Sequence, residues 1–177
     1  MILNQENCLF LIIDVQEKLL NAVFNKDIVE KKSLILTKTA EILNIPVFVT
    51  EQYPQGLGES IEGIKDNAQV FIKTAFNALN DENLVSEIKN SGRTQIIIFG
   101  IETHICVHQT VAALLQEDLD VTVIRDACGS RADIEYQSGL AVMKQNGAKI
   151  KTTEMVIFEL LKGAKHPKFK EIQSLIK

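Results

Sequence analysis

Six short runs of apolar residues punctuate the chain, and between them the apolar residues switch to helical spacing. The runs are CLFLIID (8–14), PVFVT (46–50), QVFIK (69–73), QIIIFG (95–100), DVTVIRD (120–126) and the weaker AKIKT (148–152). Nearly continuous runs rich in Val and Ile suit strands covered on both faces, as in a parallel sheet. The segments 28–43, 83–92, 103–119 and 132–147 space their apolar residues for helices, and two of them close on Gly92 and Gly147, residues that readily end a helix. Strand–helix–strand repetition predicts an α/β fold: a parallel sheet with right-handed crossovers and helices on both faces. No repeat, low-complexity tract or linker divides the 177 residues, so 1–177 reads as one domain.

Composition narrows the function classes. A net charge of −4 argues against a dedicated nucleic-acid partner, which would need a basic face. No charged N-terminal segment precedes a long apolar run, so neither a signal peptide nor a membrane span is predicted. Three scattered cysteines, at 8, 106 and 128, fit free thiols in a reducing compartment and a cytoplasmic location.

The stretch FGIETHICVHQT (99–110) holds His104, Cys106 and His108 at alternate positions. On a strand all three would share a face and suit zinc. Here the strand QIIIFG comes first, and Thr103 is a candidate N-cap for the helix that follows. On that helix Cys106 points about 200° away from the two histidines, so the zinc reading weakens. Cys106 then lies in a first helical turn just beyond a strand end. There the backbone N–H groups favour a thiolate, and ligands bind in open α/β sheets.

Asp14 ends the first run and Lys73 the third, at the same edge of the sheet. A carboxylate, an ammonium and a thiol meeting there suit nucleophilic chemistry: Lys73 stabilises a thiolate, and Asp14 carries the proton. Taken singly, each has a plainer reading. Asp14 would be a turn residue, Lys73 a solvated cation and Cys106 a small buried hydrophobe.

The segments LFLIIDVQEKL (9–19), VTEQYPQGLG (49–58), IKTAFNAL (72–79), FGIETHICVHQTVAALL (99–115), DACGSR (126–131) and LLKGAKHPKFKEIQSLIK (160–177) together resemble the isochorismatase-like cysteine hydrolases. Within that family the chain is most similar to the isochorismatase domain-containing proteins. The resemblance implies a three-layer αβα sandwich, Rossmann-like, with a six-stranded parallel sheet, and a catalytic Asp14–Lys73–Cys106 triad. It also implies a cis peptide bond between Ile101 and Glu102, which aims the Glu102 amide with that of Cys106 to form an oxyanion hole.

The activity so implied is cleavage of an amide or carbamoyl-amide C–N bond in a small molecule through a thioester on Cys106. No metal or other cofactor is expected. Nicotinamidases of the wider family hold a metal through an Asp and two His after the second strand, where this chain reads TEQYPQGLGESIEG without histidine. Isochorismatases proper cleave a vinyl ether and typically lack the cysteine, so that reaction is an alternative, as is a catalytically silent binding or scaffold protein. Gln16, Glu51, Tyr53 and Phe76 are substrate-pocket candidates. Against that role, Gln16 suits a cap, Tyr53 a turn and Phe76 core packing. His104 and His108 read as surface or interface residues. Arg131 is set to cap, pair with an acid or meet another subunit. Residues 166–177 read as a docked C-terminal helix rather than a membrane anchor. A homo-oligomer, dimer or tetramer, is expected from the resemblance.

Overall fold

The computed structural model describes residues 2–177. Its six strands are β1 (Cys8–Ile13), β2 (Val47–Gln52), β3 (Gln69–Lys73), β4 (Gln95–Ile101), β5 (Asp120–Gly129) and β6 (Lys149–Lys151). They form one sheet in the order β3-β2-β1-β4-β5-β6, with every neighbouring pair parallel. The chain winds outward in opposite directions from the central β1–β4 pair. The connections leaving those two strands therefore diverge, and a crevice opens at their carboxyl ends.

The helices are α1 (Glu17–Ala22), α2 (Lys26–Ile42), the single turn α3 (Pro54–Leu57), α4 (Glu82–Asn90), α5 (His108–Gln116), α6 (Asp133–Gln145), α7 (Thr153–Leu161) and α8 (Phe169–Leu175). α2, α7 and α8 pack together in one layer, and α5 and α6 in the other, giving a three-layer αβα sandwich. Local chemistry sets the helix ends. Asp81 Oδ1 accepts from the amides of Asn83 at 2.8 Å and Leu84 at 3.1 Å and so starts α4. Gly92 follows α4 with φ +64°, the left-handed backbone that glycine adopts without steric cost. α8 docks through the buried Ile172 onto α2.

Every residue of β1 and of β4 is buried, and Phe10 meets Phe99 edge-to-face at 6.4 Å between ring centres. β3 departs from the expectation of a strand covered on both faces. It lies at the sheet edge, with Phe71 and Lys73 buried while Ile72 is 60% exposed. A run of apolar residues fits an edge strand as readily as a central one, so the sequence alone does not separate them.

At Gly100 the β4–β5 register shifts, and φ reaches +136°. A β-carbon on Gly100 would sit 1.9 Å from the Ile13 carbonyl oxygen. β4 can therefore pass close to the end of β1 only because this residue has no side chain. That approach sets residues 101–106 beside Asp14. Among the described residues no helix is long and apolar enough to cross a membrane.

Candidate active site

Asp14 follows β1 in left-handed backbone, φ 51°, a conformation that Asp tolerates better than most non-glycine residues. Its amide donates to Thr50 O at 3.1 Å, and its own carbonyl accepts from Gln16 N at 2.8 Å. The carboxylate is fully buried. Oδ2 accepts from Lys73 Nζ at 2.7 Å, and Oδ1 accepts from the Thr50 hydroxyl at 2.6 Å. Lys73 is equally enclosed, with its side chain 3% exposed. Its three ammonium protons all have acceptors: Asp14 Oδ2, Gln52 Oε1 at 2.6 Å and Ala75 O at 3.2 Å. Buried charges are tolerated only when paired and hydrogen-bonded in this way.

The peptide bond between Ile101 and Glu102 is cis. The turn beyond it, Thr103–Val107, is wound wider than an α-helix before α5 begins. Thr103 does not cap that helix. Its hydroxyl donates instead to Gly129 O at 3.0 Å; Glu102 takes the capping position of the wide turn and Val107 that of α5, neither with a side-chain cap. Cys106 is buried in this turn, 6% exposed.

The thiol differs most from expectation. Its pKa is pushed up to about 12: burial contributes most, the Asp14 charge next, and a hydrogen bond to Asp14 adds to both. Lys73 and a backbone hydrogen bond from Glu102 act in the opposite direction without winning. Burial and the Asp14 charge thus oppose the thiolate that Lys73 and the helix start were expected to stabilise. Lys73 is held by Asp14, whose negative charge raises the thiol pKa, so the side chains of Asp14, Lys73 and Cys106 meet as an ion pair beside a buried thiol.

The pocket candidates fall into two groups. Gln16 is fully buried; its amide group bridges Gln52 O at 3.0 Å and Gly58 O, while Oε1 accepts from Gln52 N at 2.7 Å. Glu51 is also buried, with Oε1 accepting from Ser60 N at 2.8 Å and lying 3.9 Å from Lys65 Nζ. Both hold the loop after β2 against the sheet. Tyr53 and Phe76 stand exposed on the loops after β2 and β3. Tyr53 precedes α3, and its amide donates to Lys73 O at 2.9 Å.

Two residues in contact with the charged pair were not assigned a role from sequence, Thr50 and Gln52. The period-2 alternation of β2 puts them on one face, the available signal, but it does not say that this face meets Asp14 and Lys73. Glu102 Oε2 accepts from the Arg131 amide at 2.9 Å and from its Nε at 3.1 Å; of the readings for Arg131, pairing with an acid is the one seen. His104 Nδ1 lies 3.1 Å from Ser130 Oγ, and its Nε2 3.8 Å from Glu135. Cys128 lies within β5 opposite Gly100 and is fully buried. Among the described residues no three His, Cys, Asp or Glu side chains are grouped to hold a metal ion.

The model of the isochorismatase domain matches residues 8–155. The chain belongs to the isochorismatase family. Isochorismatase domain-containing protein 2 of Xenopus laevis is 37% identical, over 98% of this chain and 85% of its own length. Among solved structures, the MAR1 ribonuclease of Caenorhabditis elegans superposes with a TM-score of 0.93 at 36% identity, over 99% of this chain and 92% of that one. The YcaC gene product of Escherichia coli, described as an octameric hydrolase of unknown specificity, gives 0.89 at 26% identity, over 99% and 94%. Family membership makes this chain a hydrolase of the isochorismatase fold.

Proposed function

We propose that this isochorismatase-family protein is a metal-independent cysteine hydrolase that cleaves the C–N bond of a small amide or carbamoyl-amide. The observation that carries the reading is a buried thiol beside a carboxylate that is tied to a lysine. As the Cys106 sulfur attacks the carbonyl carbon, Asp14 takes the thiol proton, and the C–S bond forms as the C=O pair moves to oxygen. The oxygen's charge falls to the amides of Glu102 and Cys106. Collapse expels the nitrogen, which receives the proton from Asp14. Water then attacks the thioester, giving its proton to Asp14, and the thiol is restored as the acid leaves.

The high thiol pKa fits this order of events, because the sulfur loses its proton only as it attacks. Lys73 keeps the carboxylate oriented between turnovers. Tyr53 and Phe76, exposed beyond Asp14 and Lys73, form the rim over which a small substrate enters. A solved relative from Pseudomonas aeruginosa, YcaC, 27% identical over 98% of this chain, is described with covalent acrylamide, an amide-bearing electrophile. That supports an amide-accepting site here.

RNA cleavage, suggested by the name of the nematode relative, is the weaker reading. The net charge of −4 opposes a polyanion, and Lys73 is held by Asp14 rather than offered to a phosphate. A homo-oligomer is proposed too, in line with the octamer named for the Escherichia coli relative. The test is a panel of small primary amides, carbamoyl compounds and a labelled RNA, followed by ammonia release and strand scission. Cys106→Ala should abolish amide turnover with the fold intact; turnover retained in that variant rejects the nucleophile.

A further inference from the structure

The turn that carries the cysteine is tied, residue by residue, to the end of β5 and the loop after it. Thr103 Oγ1 donates to Gly129 O at 3.0 Å, His104 Nδ1 lies 3.1 Å from Ser130 Oγ, and Arg131 binds the Glu102 carboxylate. α6 presses on the same turn from outside: a β-carbon on Gly139 would lie 3.0 Å from His104 Cα. Within this set the Glu102–Arg131 contact differs in kind. Both the amide and the guanidinium Nε of Arg131 reach one oxygen, Glu102 Oε2, at 2.9 and 3.1 Å. The glutamate side chain is 10% exposed and the arginine side chain 65%. The backbone of that same Glu102 acts to lower the Cys106 pKa, and its carbonyl accepts from Ile105 N at 3.1 Å and Val107 N at 3.2 Å, on either side of the cysteine.

We propose that Arg131 is a positioning residue: by fixing the Glu102 carboxylate, it holds the Glu102 amide in line with the Cys106 sulfur and with the oxygen of a bound carbonyl. This rests on Cys106 being the acyl acceptor. The largely exposed guanidinium contributes little to folding, since water screens such a pair. Its effect is on direction. An oxyanion donor acts through placement, and displacement of about 1 Å at a reacting centre can cost about 100-fold in rate. Arg131 reaches the reacting atoms only through Glu102, so its loss should act on the oxyanion and leave thiol access alone.

Two small probes separate those effects. When the Cys106 sulfur adds to acrylamide, a C–S bond forms at the terminal alkene carbon. The alkene pair moves to give an enolate with charge on the amide oxygen, and the α-carbon then takes the proton released by the thiol. Iodoacetamide forms its C–S bond by expelling iodide and puts no charge on that oxygen. Labelling rates at each cysteine of the full chain, read by peptide mass spectrometry, are compared in the wild type, Arg131→Ala, Arg131→Lys, Glu102→Gln and the Arg131→Ala/Glu102→Gln double variant.

The expected result is a fall of about tenfold in the acrylamide rate at Cys106 in Arg131→Ala, with the iodoacetamide rate near wild type. Arg131→Lys should recover part of the loss, and Arg131→Ala should add nothing in the Glu102→Gln background. An unchanged acrylamide-to-iodoacetamide ratio in Arg131→Ala, or losses that add in the double variant, overturns the proposal. Cys8 and Cys128, both fully buried, report unfolding by becoming labelled. If Arg131→Ala unfolds, the ratio in Arg131→Lys decides: a wild-type value there overturns the proposal and a reduced one supports it. A wild-type Cys106 that labels no faster than Cys8 and Cys128 refutes the nucleophile itself, an outcome distinct from an idle Arg131.

Discussion

Replacing Lys73 with Met keeps the length of the side chain and removes only its charge and its donors. In the folded protein this strands a carboxylate that is fully buried, leaving it the Thr50 hydroxyl on Oδ1 at 2.6 Å and the neighbouring Cys106 thiol. Gln52 Oε1 and Ala75 O lose their partner as well. Breaking one side of a buried ion pair costs about 3–5 kcal/mol, against a total stability of about 5–15 kcal/mol for a domain. Lys73→Met should thus fold, with Tm lowered by about 6–20 °C at the 2–4 °C per kcal/mol of a chain this size. Asp14→Asn/Lys73→Met should be far less destabilised than the two single variants summed, because the second change removes the uncompensated charge. Urea unfolding of the four proteins measures this cycle. A Lys73→Met loss below about 1 kcal/mol, or additive losses in the double variant, would refute the buried-pair reasoning.

Gly100→Ala sets a β-carbon 1.9 Å from Ile13 O at φ +136°, whereas Gly92→Ala, at φ +64°, meets nothing within 4 Å. The first should cost more than about 3 kcal/mol and the second about 1 kcal/mol; equal urea midpoints would contradict the close approach of β4 to β1. Burial pushes the thiols of Cys8 to about 11 and of Cys106 and Cys128 to about 12, from 9.0. Above pH 9 the unfolded chain loses these protons first, so it binds fewer than the folded state. Stability should therefore fall as pH rises from 9 towards 11, by about 1.4 kcal/mol per unit for each group, and show no pH dependence from them below pH 9. Thermal melts across that range should show a shallower alkaline limb in Cys128→Ala; an identical limb in wild type and variant would count against it.

The sheet was legible because a parallel strand buried on both faces leaves a run such as LFLII or QIIIF that little else produces. Asp14 and Lys73 could be placed at one edge because each ends or follows such a run. Strand order was not legible from the runs, and so neither was the exposure of Ile72 on the edge strand. Side-chain partners were legible only where chain connectivity forces them. Thr50 and Gln52 lie on the face of β2 that meets Asp14 and Lys73, a tertiary fact with no local signature. Gln16 stands at the N-cap position of α1, but its side chain turns to bridge backbone groups around the end of β2, a partner choice with no local signature. Thr103 looked like a cap by residue type, but the wide turn leaves its hydroxyl aimed at Gly129. The sequence reading set Cys106 beside a free cation; in the folded chain the charge of Lys73 is met first by Asp14, and burial pushes the thiol pKa up.

The central claim is that Cys106 accepts an acyl group with Asp14 as its proton carrier. Its most direct test is peptide mapping of the protein quenched during turnover of p-nitrophenyl acetate, in the wild type and Asp14→Asn. The account predicts acetyl on Cys106 in the wild type, and in Asp14→Asn a slowed formation and slowed loss of the same adduct. An acetyl group found only on surface lysines, or a Cys106 adduct whose formation and loss ignore Asp14, would contradict it.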